Sequence, residues 1–208
     1  MRYKSCYFSV WSKLCILLAL TAFPTAEAMS QAPQAHQLQI LTAKAAEEYR
    51  LGRLKEALAL TRSVAEGAKQ QFGQNHLRYA QALNNLALFQ DLTGALSKAE
   101  KNYRQAIEIV LALGGNHSKH LAEFKNNLAT VVLQQCQINA ARDLFAEGLE
   151  LTVAVYGMNH RETEFVRANI RKLDSYLTGA PAKTVSSFSS NRAPSTSSIN
   201  RLLESCLS

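Results

Sequence analysis

Over most of its length the chain alternates apolar and polar residues at the three-and-four spacing of amphipathic helices. Leu83, Leu86, Ala87, Gln90 and Thr93 fall along one helical face, and Ala99, Tyr103, Ala106, Ile107 and Val110 along the next. No periodic run of β-branched residues marks a sheet, and aromatic residues make up only 8%, which argues against a β-sandwich or barrel. The four prolines are Pro24, Pro33, Pro181 and Pro194, so the long stretch between the second and third is free of the strongest helix breaker. An all-α body follows.

The pattern repeats. Ala82-Leu83-Asn84-Asn85-Leu86-Ala87 returns 42 residues later as Phe124-Lys125-Asn126-Asn127-Leu128-Ala129. The same displacement carries Gly52 to Gly94, Ala45 to Ala87 to Ala129, Ala57 to Ala99 to Ala141, Tyr103 to Phe145, and Asn85 through Asn127 to Asn169. Small residues recur where paired helices must approach closely, so one added methylene there would force them apart. A second signal recurs between these anchors, as Gly73-Gln74-Asn75-His76, Gly114-Gly115-Asn116-His117 and Gly157-Met158-Asn159-His160. Each predicts a glycine stop followed by an asparagine cap, with Asn159 and Glu162 close to a capping box. Every unit therefore reads as a helix, a turn at Gly52, Gly94 or Cys136, a second helix, and a Gly-x-Asn-His turn.

These residues resemble the tetratricopeptide repeat in its 42-residue, kinesin-light-chain-like form. The Leu-Asn-Asn-Leu-Ala run, the turn glycine, the Ala99-Glu100 pair and the Gly-x-Asn-His turn carry the likeness. It implies an α-solenoid of about three and a half helix pairs, a right-handed superhelical array with a concave groove. Residues 37–178 would hold it, with repeats at about 37–73, 76–115 and 118–157 and a capping helix at 161–177. The first repeat departs from the pattern, with Lys44 where Leu86 and Leu128 stand and Thr61 where Tyr103 and Phe145 stand, as an atypical end repeat does. Cys136 replaces the turn glycine, which suggests a turn without a left-handed residue.

The same resemblance places the concave face. It comprises Gln39, Thr42 and Ala43, then Gln81, Asn84, Asn85, Leu88 and Asp91, then Glu123, Asn126, Asn127, Thr130 and Leu133, and finally Phe165, Asn169 and Lys172. Asn85, Asn127 and Asn169 would form a ladder whose amides, each both donor and acceptor, suit the backbone of an extended peptide. Asparagine at such places equally bonds a neighbouring helix. Asn84, Asn85, Leu88, Asn126, Asn127, Thr130, Asn169 and Lys172 are the candidate peptide-binding residues. Asp91 and Glu123 beside Lys172 speak against a dedicated carboxylate clamp.

Composition refines the picture at the ends. Of 208 residues, 23 are Lys or Arg and 16 Asp or Glu, a net charge of +7. Residues 1–28 read as an export signal: Arg2, Lys4 and Lys13, an apolar run at 14–23, and Ala26-Glu27-Ala28 as a small-x-small cleavage site. That run is too short to span a bilayer. Removing its three bases and one acid from +7 leaves +5, and the tail after residue 178 holds +2 of this. A body of +3 carries no nucleic-acid footprint. Residues 29–36 read as a linker. The expected location is periplasmic or secreted, with no stable membrane span after cleavage.

Cys136 and Cys206 would remain. Two cysteines permit one bridge, within the chain or between two tails; the simpler expectation is a small buried Cys136 and a loose Cys206. The Ser-rich tail from residue 179 reads as disordered, followed by Ile199, Leu202, Leu203, Cys206 and Leu207 at helical spacing. Ten residues are too few for a helix alone, so this end either frays or docks into a groove, its own or a neighbour's.

His117 and His120 share a helical face, yet no Cys or third histidine stands near them in sequence, so no metal is expected. His76, His117 and His160 share one turn position and read as structural. Asn116-His117-Ser118 fits a glycosylation sequon. No phosphate loop, nucleophile elbow or HExxH motif occurs, so neither an enzyme nor a cofactor is expected. The sequence thus points to an exported, non-catalytic module that binds an extended segment of a partner protein. Its rival is a self-associating, homo-oligomeric assembly component of an envelope or secreted complex.

Overall fold

The computed structural model describes residues 26–179 and 196–206. The apolar run expected to belong to an export signal, residues 180–195 of the Ser-rich tail, and residues 207–208 lie outside them. Eight helices make up the described residues: α1 Ala26–Arg50, α2 Leu54–Phe72, α3 Leu77–Leu92, α4 Leu96–Leu113, α5 Ser118–Gln134, α6 Ile138–Tyr156, α7 Arg161–Thr178 and α8 Thr196–Ser205.

The first six form helix pairs, and each pair stacks on the next through its second helix. The spacing read from the sequence sets the core. Ala45, Ala57, Ala87, Ala99, Ala129 and Ala141 are all buried at helix contacts, with Tyr103 and Phe145 filling the space beside them. In the first pair Thr61 takes the place of these rings and turns its hydroxyl to Leu58 O, so that pair closes on a smaller side chain.

Within each pair a three-residue turn repeats one hydrogen-bond pattern. Gly94 N donates to Asp91 O and Ala95 N to Gln90 O; Cys136 N donates to Leu133 O and Gln137 N to Val132 O. This turn requires a left-handed residue at its hinge. Gly52 and Gly94 supply it at φ +76° and +77°, and Cys136 adopts it too, at φ +60°. The expectation that cysteine marks a turn free of left-handed backbone is therefore corrected: the turn is unchanged and a non-glycine residue occupies it.

The connections between pairs stop as the sequence indicated. Gly73 and Gly157 sit at φ +86° and +87° with extended ψ, a region open only to glycine. The caps differ. His76 Nδ1 accepts from Arg78 N at 3.0 Å and His160 Nδ1 from Glu162 N at 3.2 Å, so histidine, not Asn75 or Asn159, caps the following helix. Each of these rings stacks on the last aromatic of the preceding helix, Phe72 or Tyr156. That contact holds the imidazole over the helix end.

Two boundaries move. Helix α1 begins at Ala26, so residues 29–36 are helical, not a linker, and the expected cleavage point lies in its first turn. The C-terminal end is not loose either. Helix α8 packs against α7 and α5, with Ile199 and Leu203 buried.

Candidate concave groove

The first helices α1, α3, α5 and α7 line the concave side. Between α3 and α5 this side is closed by side chains bonding one another. Asn127 Nδ2 donates to Asn84 Oδ1 at 3.0 Å, and Asn84 Nδ2 reaches Asn85 Oδ1 at 3.5 Å. Gln134 Nε2 donates to Asp91 Oδ1 at 2.6 Å, and the His120 ring lies 3.5 Å from Gln81 Nε2. His120, Asn127 and Gln134 are seven residues apart, two helical turns, so they form one polar seam along α5. Burial raises the Asp91 carboxyl pKa, partly offset by the Gln134 amide.

Between α1 and α3 no such seam forms among the described residues. The residues of α1 that match Asn84, Asn85 and Leu88 are Thr42, Ala43 and Ala46, too small to reach across. An open cleft of about 570 Å³ results. Its floor is apolar, from Leu38, Val64, Ala68, Phe72, Ala82 and Phe124; its rim is polar, from Gln39, Thr42, Gln81, Asn85, His120 and Glu123. Arg78 lies over the Phe72 ring, 5.3 Å from its centre, and places a cation at one end.

The candidate residues thus divide. Asn85 lines the cleft, and Leu88 is 36% exposed on the concave side. Asn84 and Asn127 are bonded to each other. Asn126 turns away from the groove: its Oδ1 lies where a side chain on Gly148 would begin, 2.2 Å from that Cβ position, and has no hydrogen-bond partner. Asn169 is 1% exposed, its Oδ1 likewise buried without a partner, so the ladder does not continue onto α7 as an accessible row. Thr130, the counterpart of Leu88, is only 9% exposed and gives its hydroxyl to Asn126 O at 3.2 Å. Lys172 is half-buried, which pushes its ammonium pKa down.

Helix α8 packs against α5 and α7. A disulfide joins Cys206 to Cys136, with Cα atoms 5.4 Å apart, which overturns the expectation of a buried Cys136 and a loose Cys206. Among the described residues no group of three or more His, Cys, Asp or Glu could hold a metal ion, and no helix is long and apolar enough to cross a membrane.

Stacked helix pairs with a concave face define an α-solenoid. Two profiles of the tetratricopeptide repeat match the chain, over residues 37–112 and 121–162. The chain belongs to the tetratricopeptide-repeat family. Among solved structures it is similar to the nearly identical TPR-like repeats of a putative kinesin light chain from Podosopora anserina, at 16% identity and TM-score 0.61, covering 69% of this chain and 68% of that one. It is also similar to BtubC (BKLC) from P. vanneervenii, at 17% identity and TM-score 0.51, covering 74% and 69%. These likenesses confirm the kinesin-light-chain-like form of the solenoid. No curated protein matches the chain.

Proposed function

We propose that the protein is a non-catalytic interaction module that holds an extended segment of a partner protein in the cleft between α1 and α3. Tetratricopeptide repeats generally mediate protein–protein interaction, and the cleft supports that reading here. It is the part of the concave face that the protein's own side chains leave open, with an apolar floor for side chains and amides on its rim for a peptide backbone. Asn85 is the rim amide best placed to bond that backbone. Asn84 and Asn127 hold the helices instead.

Export completes the proposal. The basic, apolar and small-residue pattern of residues 1–28 supports it, and a disulfide persists in the oxidising compartments that export reaches.

A random library of extended peptides selected on the full chain tests the reading. Binders are expected to lose affinity with Ala43→Trp, which fills the cleft, and with Asn85→Ala, while circular dichroism shows the helices intact. Binders that tolerate both substitutions would move the function away from the cleft.

A further inference from the structure

Helix α8 is a ten-residue amphipathic segment with its polarity cleanly divided. Ile199 and Leu203 are buried and Leu202 packs beside them, while Asn200, Arg201, Glu204 and Ser205 are exposed. A helix this short does not hold its shape alone, so the surface beneath supplies the order. That surface belongs to α5 and α7, and the Cys206 sulfur lies 3.8 Å from Leu133 O at the end of α5. Helix α8 lies on α7, as a cap would, and it also touches the third pair, through α5 and the bridge to Cys136.

The tether is costly in backbone terms. Cys136 holds a left-handed conformation where Gly52 and Gly94 stand in the other pairs, and a non-glycine residue there is strained by about 1 kcal/mol. The benefit visible in the structure is the bond to Cys206. We propose that the α5–α7 surface is a receptor for a partner's amphipathic helix bearing large aliphatic residues at i, i+3 and i+4, that α8 occupies it in cis, and that the Cys136–Cys206 disulfide governs which helix is seated. This site is separate from the α1–α3 cleft, so either stands if the other fails.

Release needs a dithiol, small or protein-borne. One of its thiolates attacks a sulfur of the bridge and forms a mixed disulfide; its second thiol displaces that sulfur. Two electrons and two protons pass to Cys136 and Cys206, which become thiols, and the dithiol closes to a disulfide. Helix α8 is then held only by its short apolar face and the connecting segment.

The probe is a labelled peptide of residues 196–208 carrying Cys206→Ser, titrated by fluorescence anisotropy. It is expected to bind full chain carrying Ile199→Asp, Leu203→Asp and Cys206→Ser about a hundred-fold more tightly than oxidised wild-type chain, where the tethered helix competes. A control peptide with Ile199→Asp and Leu203→Asp is expected not to bind. Equal affinity for both chains, or equal binding by the control, would overturn the proposal. Hydrogen exchange on unsubstituted chain is the second measurement, independent of how the variant folds. A dithiol is expected to speed exchange at residues 199–206 by about ten-fold or more while α1–α4 stay protected; unchanged protection would remove the disulfide's role.

Discussion

Asn127→Ala tests whether the concave asparagines hold helices or await a ligand. The Asn127 amide donates at 3.0 Å to Asn84 Oδ1, in a residue only 3% exposed. Removing the donor forfeits a hydrogen bond worth about 1 kcal/mol net and strands a buried acceptor, which costs about 1–3 kcal/mol more. Asn127 is itself half-buried, so water relieves part of the second amount and little cavity forms. The expected loss is about 2 kcal/mol, a fall of about 4–8 °C in Tm for a chain of this size. Urea unfolding followed by circular dichroism, run for Asn127→Ala, Asn84→Ala and the double variant, measures it. The double variant should cost less than the sum of the singles by about 1 kcal/mol, because the second substitution removes the group stranded by the first. A loss within about 0.5 kcal/mol for Asn127→Ala, with additive costs in the double variant, would refute the pairing.

The other predictions rest on separate parts of the structure. Ala99→Leu and Ala141→Leu, at positions with no exposed surface, should each destabilise by about 1–3 kcal/mol in the same unfolding assay through overpacking. Reducing the disulfide, whose cysteines stand 70 residues apart, should lower stability by at most about 4 kcal/mol by denaturant titration, and by less if α8 leaves the fold. With the bridge absent in both, Cys136→Gly should be more stable than Cys136→Ala by about 1 kcal/mol, since only glycine is at ease at that φ. Burial raises the Asp91 pKa, so its contribution to stability is fully present below the unfolded carboxylate pKa and is lost as pH rises through the folded value. Asp91→Asn keeps an acceptor for Gln134 and should flatten that decline in a pH series of thermal melts.

The fold was legible because the repeat states each rule three times. Small residues at 45, 87 and 129 and at 57, 99 and 141 fix how closely the helices approach, and the aromatic at 103 and 145 fixes the filling between them. The site was legible only in part. Position in the repeat marked Asn84 and Asn126 as equivalents, yet one bonds Asn127 and the other turns toward Gly148. The difference lies in the facing helix, where Ala106 opposes the second pair and Gly148 the third. Only glycine leaves room for the amide. The α1–α3 cleft was hidden for a related reason: it follows from what Thr42, Ala43 and Ala46 fail to reach, and periodicity does not report an absent contact.

Cys136 carries a signal that is present in the sequence and points elsewhere than its first reading. Its departure from glycine suggests a relaxed turn, whereas the hydrogen bonds of the turn are the same from pair to pair and keep the left-handed hinge. In a repeat the neighbouring units fix the backbone, so a residue that the backbone disfavours is held there by something beyond its own unit. Applied to Cys136, that reasoning leads to the other cysteine of the body and tail, and so to α8. The bridge brings Cys206 to the end of α5, and the apolar stripe Ile199, Leu202 and Leu203 faces what lies beneath it. The seat of α8 is thus marked by one substitution in the repeat, and the partner helix that would replace it must satisfy the same stripe without the bond.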